Sequence, residues 1–353
     1  MASDLATLAP VSVTASAQEQ AAAQSVRNPR GMVKIGGVAV KGWIDFEVES
    51  NAYREADTFR VTFALSELVA PYDAAWFCET NPISVEVLAG FPTDPESYGA
   101  ADLDSLITGN VDEVSLDPVQ RTLEISGRDL TALLIDAKTA EKFQNQTAAE
   151  VVKTIASRHG LTAVVTDDGT TMGKFYQIDH VSTTCAQTEW DLLTKAAQER
   201  DYVVYVQGKE LHFEPAPERN TAPGYPVTWT DADNTTPFQS STKNISFSRT
   251  LTVGKTITVT VRSWNAKQKK GFTASYPQGH AKGIRPGQAT DPAQNYSYTI
   301  ANLTQEQATQ RAQAIYAGLI KNEMRMNAAL PGDNTLSIRH VMPVSGTVTA
   351  FDQ

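Results

Sequence analysis

The stretch FQNQTAAEVVKTIASRHGL, Phe143–Leu161, decides how this chain is read. Thr147 and Glu150 have the T-x-x-E spacing of a capping box, in which each side chain serves the other residue's backbone N–H. Val151, Val152 and Ile155 then form an apolar stripe, and Gly160 stands where a helix ends in the left-handed conformation, with Leu161 able to fold back on the last turn. The spacing predicts a helix over 147–159. It is flanked by sequence that alternates as strands do, so it reads as part of an α+β insert in a mainly β chain.

Upstream of the helix the period is two. MVKIGGVAV places Gly36-Gly37 between short β-prone runs, a tight hairpin signal. FRVTFALS puts Phe59, Val61, Phe63 and Leu65 on one face, and ISVEVLAG does the same with Ile83, Val85 and Val87. GNVDEVSLDPVQRTLEISGRDL reads as a hairpin turning at Asp117-Pro118, with Leu123 and Ile125 facing inward. Residues 32–139 are thus expected to form one antiparallel β domain with a loop at Pro92–Asp104. Residues 1–31, rich in Ala, Ser, Gln and Thr, are expected to be a flexible arm.

Downstream, TAVV is a strand and TEWDLLTKAAQERD a second helix capped by Thr188 and Asp191. YVVYVQGKELHFEP reads as a hairpin turning at Gln207-Gly208. These complete an insert over 140–217, closed by the linker-like EPAPERNTAPGYP. The remainder, 218–353, returns to strands. NISFSRTLTVGKTITVTVRSW is expected to be a long hairpin turning at Gly254-Lys255, with Ile257, Val259 and Val261 on one side. A structureless loop is expected over 265–296. A long helix should follow over 304–326, capped by Thr304 and Gln307, with Ala308, Ala312, Ile315, Tyr316, Leu319 and Ile320 buried.

Composition narrows the function classes. The chain has 353 residues, 41% of them hydrophobic and 20% charged, which is enough for two or three sizeable cores. Thirty Lys and Arg stand against 40 Asp and Glu, a formal charge of −10. That balance argues against a general nucleic-acid binder. No apolar run has the length of a membrane span, and no Lys or Arg precedes Arg27, so neither stable membrane association nor a secretory signal is expected. Cys78 and Cys185 are read as reduced structural thiols. Cys185 lies five residues after His180 without a second His/Cys cluster, so the pair is not read as a metal site.

Catalytic patterns are weak. Asp112 and Glu113 are adjacent on a strand and are expected to point to opposite faces, which would keep them off one substrate. Asp167-Asp168-Gly169 reads as a turn. GKT at Gly254–Thr256 lacks the upstream glycine of a phosphate loop. Arg128 and Asp129 are expected to pair with neighbours where a strand gives way to a helical turn. No catalytic residue, cofactor or metal is assigned. The single charge anomaly is the loop 265–296, where Lys267, Lys269, Lys270, Lys282 and Arg285 face one acid, Asp291. It is a candidate docking loop for an acidic partner surface.

Taken in order, GNVD (Gly109–Asp112), GRDLTALL (Gly127–Leu134), the Phe143–Leu161 helix and WDLLTKAAQERDYVVYVQGKELHF resemble the hub proteins of contractile phage tails, the late control protein D family. LPGD at Leu330–Asp333 and SGT at Ser345–Thr347 resemble the start of that family's closing strands. The resemblance spans roughly 32–353. It implies two tube-like antiparallel β-barrels flanking a small α+β domain, and no enzyme activity. It implies a homotrimer whose six barrels form a pseudo-sixfold ring between a hexameric tail tube and a trimeric central spike, with a channel for DNA passage. The implied partners are the chain itself, the tail tube protein, the central spike protein and other baseplate proteins such as the tape measure. The implied location is the virion tail baseplate, after synthesis in the host cytoplasm. Relatives in type VI secretion and other contractile injection systems supply an alternative setting, and a tail-borne cell-wall hydrolase is a third, less supported reading. Relatives continue through further closing strands, which leaves three alternatives for the second barrel: completion by a neighbour, a more open form, or a trimmed tail.

Overall fold

A computed structural model describes residues 28–53, 55–139, 141, 143, 146–169, 187–217, 223–230, 237–251, 257–265, 268–277, 294–301, 303–320 and 323–352. The expected arm up to residue 27 lies outside this set, as do the GKT motif, His180, Cys185 and residues 218–222 of the linker. The chain divides into two compact units, 1–49 with 57–129, and 50–56 with 130–353.

The first unit is built on β1 (Arg30–Ile35), β2 (Val38–Val40), β3 (Trp43–Glu49), β4 (Thr58–Ala64), β5 (Ser84–Gly90), β6 (Asp104–Asp117) and β7 (Thr122–Asp129), with the short helix α1 (Ala74–Glu79) between β4 and β5. A 3-10 turn at Ala100–Asp102 lies in the expected loop. All seven strands join one antiparallel sheet in the order β2-β1-β5-β6-β7-β4-β3. Gly36 and Gly37 both have positive φ, 58° and 85°, which gives the tight β1–β2 turn the twist a two-residue hairpin needs.

Chain connectivity then forces the sheet to roll. β2 and β3 are its two outermost strands, yet only Lys41 and Gly42 separate them. In a flat sheet, six spacings of about 4.8 Å would hold the outer strands about 29 Å apart. Three peptide steps span at most about 11 Å. The sheet therefore curls until its ends approach. Gly31 on β1 shows the consequence. A Cβ there would sit 2.7 Å from the Phe46 ring and 3.2 Å from Trp43, both on β3. Val33, Ile35, Phe59, Val61, Phe63, Val85, Val87, Ile107, Leu123 and Ile125 fill the inside, joined by Phe77 of α1.

The second unit contains two further cores. α2 (Thr131–Asp136), β8 (Lys138–Thr139), α3 (Ala148–Arg158), β9 (Thr162–Val165), β10 (Gln187–Thr188), α4 (Glu189–Arg200), β11 (Tyr202–Gln207) and β12 (Glu210–Pro215) surround one of them. The three-stranded sheet β11-β12-β9 combines an antiparallel hairpin with a parallel pair, and β8 pairs with β10. α3 has the ends its sequence calls for. Thr147 Oγ1 accepts from the Glu150 N–H at 3.2 Å, and Glu150 Oε2 accepts from the Thr147 N–H at 2.8 Å. At the other end Leu161 N–H donates to Ala156 O and Gly160 N–H to Ser157 O, with Gly160 at φ 69°. That is the paired pattern of a Schellman end, and Leu161 is buried by it. Val151, Val152 and Ile155 are fully buried against Leu193, Leu211 and Phe213.

The rest of the chain forms β13 (Trp229–Thr230), β14 (Gln239–Ser240), β15 (Asn244–Arg249), β16 (Ile257–Asn265), β17 (Lys270–Tyr276), β18 (Gln294–Thr299), α5 (Gln305–Ile320) and β19 (Met324–Ala329), and the last core lies between β16, β17 and α5. Ala308 and Ala312 of α5 pack on Ile257, Val259 and Val261 of β16 and on Ala274 of β17. Ile315, Tyr316 and Leu319 flank them, half-buried.

Four expectations are corrected in this half. β15 and β16 do not form a hairpin across Gly254-Lys255: β15 pairs with β19, and β16 lies between β17 and β18. Alternation fixes which face of a strand is apolar but not which strand lies beside it. The structureless loop is also wrong at its ends, because 270–276 and 294–299 are strands; Phe272, Ala274 and Tyr276 already alternate there. The helix ends at Ile320 rather than at 326. Beyond it Met324, Met326 and Ala328 repeat every second residue, and they face Arg249, Phe247 and Ile245 of β15. Glu323, nearly buried, anchors the switch by pairing with Arg249 at 2.6 Å. Finally, LPGD and SGT begin no strands among the described residues. The backbone of this tail makes isolated bridges, Val341 to Gly224 and Val344 to Val227.

Candidate interaction surface

A cleft of about 380 Å³ opens on the outer face of the first unit's sheet. Glu47 and Glu49 from β3, Thr58 and Arg60 from β4, Ser126 and Arg128 from β7, and Asp112 and Glu113 from β6 line it. Strand alternation explains most of this set, since one face of β3, β4 and β7 is apolar and inside while the other is polar and outside.

β6 departs from alternation. Its register to β7 shifts between Val111 and Glu113, so one residue is left over as a β-bulge. Both Asp112 and Glu113 consequently reach the same cleft, which overturns the expectation that they point to opposite faces. A signal for this was present in the sequence. Ile107, Gly109 and Val111 step by two, but the next inward residue is Val114, three positions on. That skipped beat marks the bulge.

Two glycines let β6 and β7 approach around it. A Cβ on Gly127 would stand 2.0 Å from Asn110 O, and one on Gly109 would stand 2.1 Å from Arg128 O. Arg128 reaches across to clasp Asp112 with two hydrogen bonds, Nε to Oδ2 at 2.6 Å and Nη2 to Oδ1 at 2.9 Å. Both partners remain partly exposed, so this fork adds geometry more than stability. Arg60 bonds Glu47 at 2.7 Å and lies 3.8 Å from Glu124. Asp129 is buried at the end of β7, and its N–H donates to Asp57 O. The cleft holds carboxylates, guanidiniums and hydroxyls, with no His or Cys. Among the described residues no group of His, Cys, Asp and Glu is arranged to hold a metal ion.

Of the candidate docking cations, Lys269 is exposed at the β16–β17 turn with φ 51°, and Lys270 opens β17. Lys267, Lys282 and Arg285 lie outside the described residues. Thr147, Glu150, Ile155 and Gly160 belong to α3 and its caps and do not line this cleft.

One cluster in the second unit had no sequence signal. The Arg339 guanidinium lies 3.8 Å from the centre of the Tyr205 ring, which also stacks on His212 at 4.6 Å. Tyr53 leans on the same ring at 5.8 Å. Tyr205 donates to Glu214 at 2.7 Å, and Arg339 donates to Gln207 at 2.9 Å. Burial, then the bond to Glu214, pushes the Tyr205 phenol well above its usual range. Tyr205 and His212 face each other across the β11–β12 hairpin, while Tyr53 and Arg339 come from distant stretches that no spacing rule connects to it.

No family model matches the chain, and no curated protein matches its sequence. Solved structures do. A tail protein from Neisseria meningitidis superimposes with a TM-score of 0.67 at 14% identity, over 92% of this chain and 89% of that one. The 43 kDa tail protein of prophage MuSo2 from Shewanella oneidensis gives 0.62 at 16% identity, over 92% and 90%. The prophage tail protein gp18 from Listeria monocytogenes gives 0.50 at 11% identity, over 84% and 78%. The chain thus has the mainly β fold of phage tail proteins, along nearly its whole length.

Proposed function

We propose that this chain is a structural, non-catalytic component of a phage tail, and in particular the baseplate hub that joins tail tube to central spike. The observation carrying the reading is the shared fold with two tail proteins over about nine-tenths of each chain. The motif order that resembles the late control protein D family supports the finer assignment. In this reading 32–139 and 218–353 are the two tube-like β domains and 140–217 is the α+β insert. The rolled sheet of the first unit suits a tube wall, because its inside is filled by side chains. Three copies would then present six β domains, matching a sixfold tube to a threefold spike. The partners are the chain itself, the tube protein, the spike and adjoining baseplate proteins, and DNA touches the assembly only in passage. The virion tail baseplate is its location.

Native mass spectrometry of the purified protein, alone and with its spike, tests this. A species of three 38.3 kDa chains is expected. A strict monomer in both samples overturns the hub assignment.

A further inference from the structure

Within the second unit, the α+β insert and the β part that follows it have separate cores. The core built on α3, α4, β11 and β12 and the core between β16, β17 and α5 share no residue. Among the described residues no strand of the insert pairs with a strand beyond residue 223. The chain passes from one part to the other once, between Pro217 and Pro223. Neither a shared core nor a shared sheet therefore sets how the two are oriented. That falls to side chains that reach across.

Two half-buried guanidiniums do so, at two places. Arg311 of α5 donates through Nη1 to the Gln198 carbonyl at 3.0 Å. Gln198 lies in the last turn of α4, where carbonyls have no partner inside the helix and the macrodipole favours a cation. Arg339 lies 3.8 Å from the centre of the Tyr205 ring on β11 and donates through Nη1 to Gln207 Oε1 at 2.9 Å, so it holds the β11–β12 hairpin. The two points are unequal. Arg339 Nε is buried with no hydrogen-bond partner among the described residues. His212, stacked on the same Tyr205 ring, has both ring nitrogens buried in the same condition, and its Nε2 lies 3.4 Å from Glu210 Oε2 without the alignment of a hydrogen bond. A buried polar atom left unpaired loses its hydration and gains nothing in return. Closing the Arg339 point therefore forfeits part of what its ring contact and hydrogen bond contribute, and parting it returns Nε to water.

We infer that Arg311 and Arg339 form a two-point latch that fixes the orientation of the insert against the β part after it, with Arg311 the stronger point and Arg339 the one poised to open. Such a latch acts within one chain and requires neither the trimer nor the tail assignment.

Electron–electron distance measurement between two spin labels on the full chain tests this. The labels sit on Lys209→Cys at the β11–β12 tip and Gln313→Cys on α5, both exposed positions, with Cys78 and Cys185 replaced by serine. Labelled chains are diluted into unlabelled ones, so that only distances within a chain are read. The parent should give one dominant distance. Arg311→Ala should raise the share of other distances roughly tenfold, Arg339→Ala by about threefold, and the two together should make the distribution broad. Arg339→Lys keeps the charge and loses the planar fork, so it should fall between the parent and Arg339→Ala. Neither arginine belongs to a core cluster, so melting curves should match the parent and exclude misfolding. A double variant as narrow as the parent shows that other contacts fix the insert, and the latch is refuted. A parent already as broad as the double variant refutes it too, since the two points are then not closed in solution. A larger effect from Arg339→Ala than from Arg311→Ala overturns the assignment of Arg339 as the point poised to open.

Discussion

A methyl group added at three glycines should have three different effects, and the differences follow from the fold. Gly127→Ala places a carbon 2.0 Å from Asn110 O, 2.9 Å from Asn110 C and 2.9 Å from the Phe59 ring. Carbon and oxygen need more than 3 Å, so β6 and β7 must part by about an ångström at the bulge. Parting them loosens one or two ladder hydrogen bonds at about 1 kcal/mol each. Displacing Phe59, which is only 3% exposed, adds an overpacking cost of about 1–3 kcal/mol. The sum is about 2–5 kcal/mol. Gly160→Ala meets nothing within 4 Å, and its cost comes from φ 69° alone, about 1 kcal/mol. Gly318→Ala lies inside α5 with open space around it, where alanine favours the helix and should stabilise by about 0.5–1 kcal/mol. Denaturant unfolding followed by tryptophan fluorescence measures all three. Gly127 belongs to the first unit and the other two to the second, so the effects should appear in different transitions if the units unfold separately. A Gly127→Ala cost below about 1 kcal/mol would refute the close approach of β6 and β7, and with it the bulge that brings Asp112 and Glu113 together.

Two further predictions concern the second unit. Thr147→Ala removes one cap hydrogen bond from α3 and should cost about 1 kcal/mol, while Ile155→Asp buries an unpaired carboxylate in a fully enclosed site and should cost several times more; equal melting temperatures would show that Ile155 does not face the core. Tyr205 should make the second unit sensitive to alkali. Its phenol is held above the unfolded value of about 10, so the folded state keeps its proton where the unfolded state loses it; stability is full below about pH 10 and falls as pH rises through the folded value. Tyr205→Phe should flatten that alkaline loss, as read by urea midpoints from pH 9 to 12, and an unchanged slope would assign the loss to other groups.

The sequence by itself determined the local pieces. Period-two patterns marked the inner faces of β4, β5 and β7, and the residues they select are buried in the first core, Leu65 only partly. The T-x-x-E and Gly160 signals placed both ends of α3, because caps are made by residues three or four apart and need nothing from elsewhere in the chain. The charge balance and the weakness of every catalytic pattern were likewise legible, as was the resemblance to tail proteins that the fold comparison later met at the level of architecture.

What only the tertiary structure decided was which pieces meet. β15 pairs with β19 across some 80 residues instead of with the neighbouring β16, because strand edges offer the same hydrogen-bonding groups to any partner and the choice falls to packing of the faces. The bulge at Asp112 depends on β7 lying alongside, so the cleft exists only once the ladder has formed. The stack of Arg339, Tyr205, His212 and Tyr53 draws on three segments, the β11–β12 hairpin and two distant stretches. Side-chain period and capping are properties of a few consecutive residues. Sheet order and clustered charges arise from contacts whose free energy is set by the whole fold, and a local pattern carries no record of them; the slip at Asp112 left only its skipped beat in the sequence, not the partner it slips against.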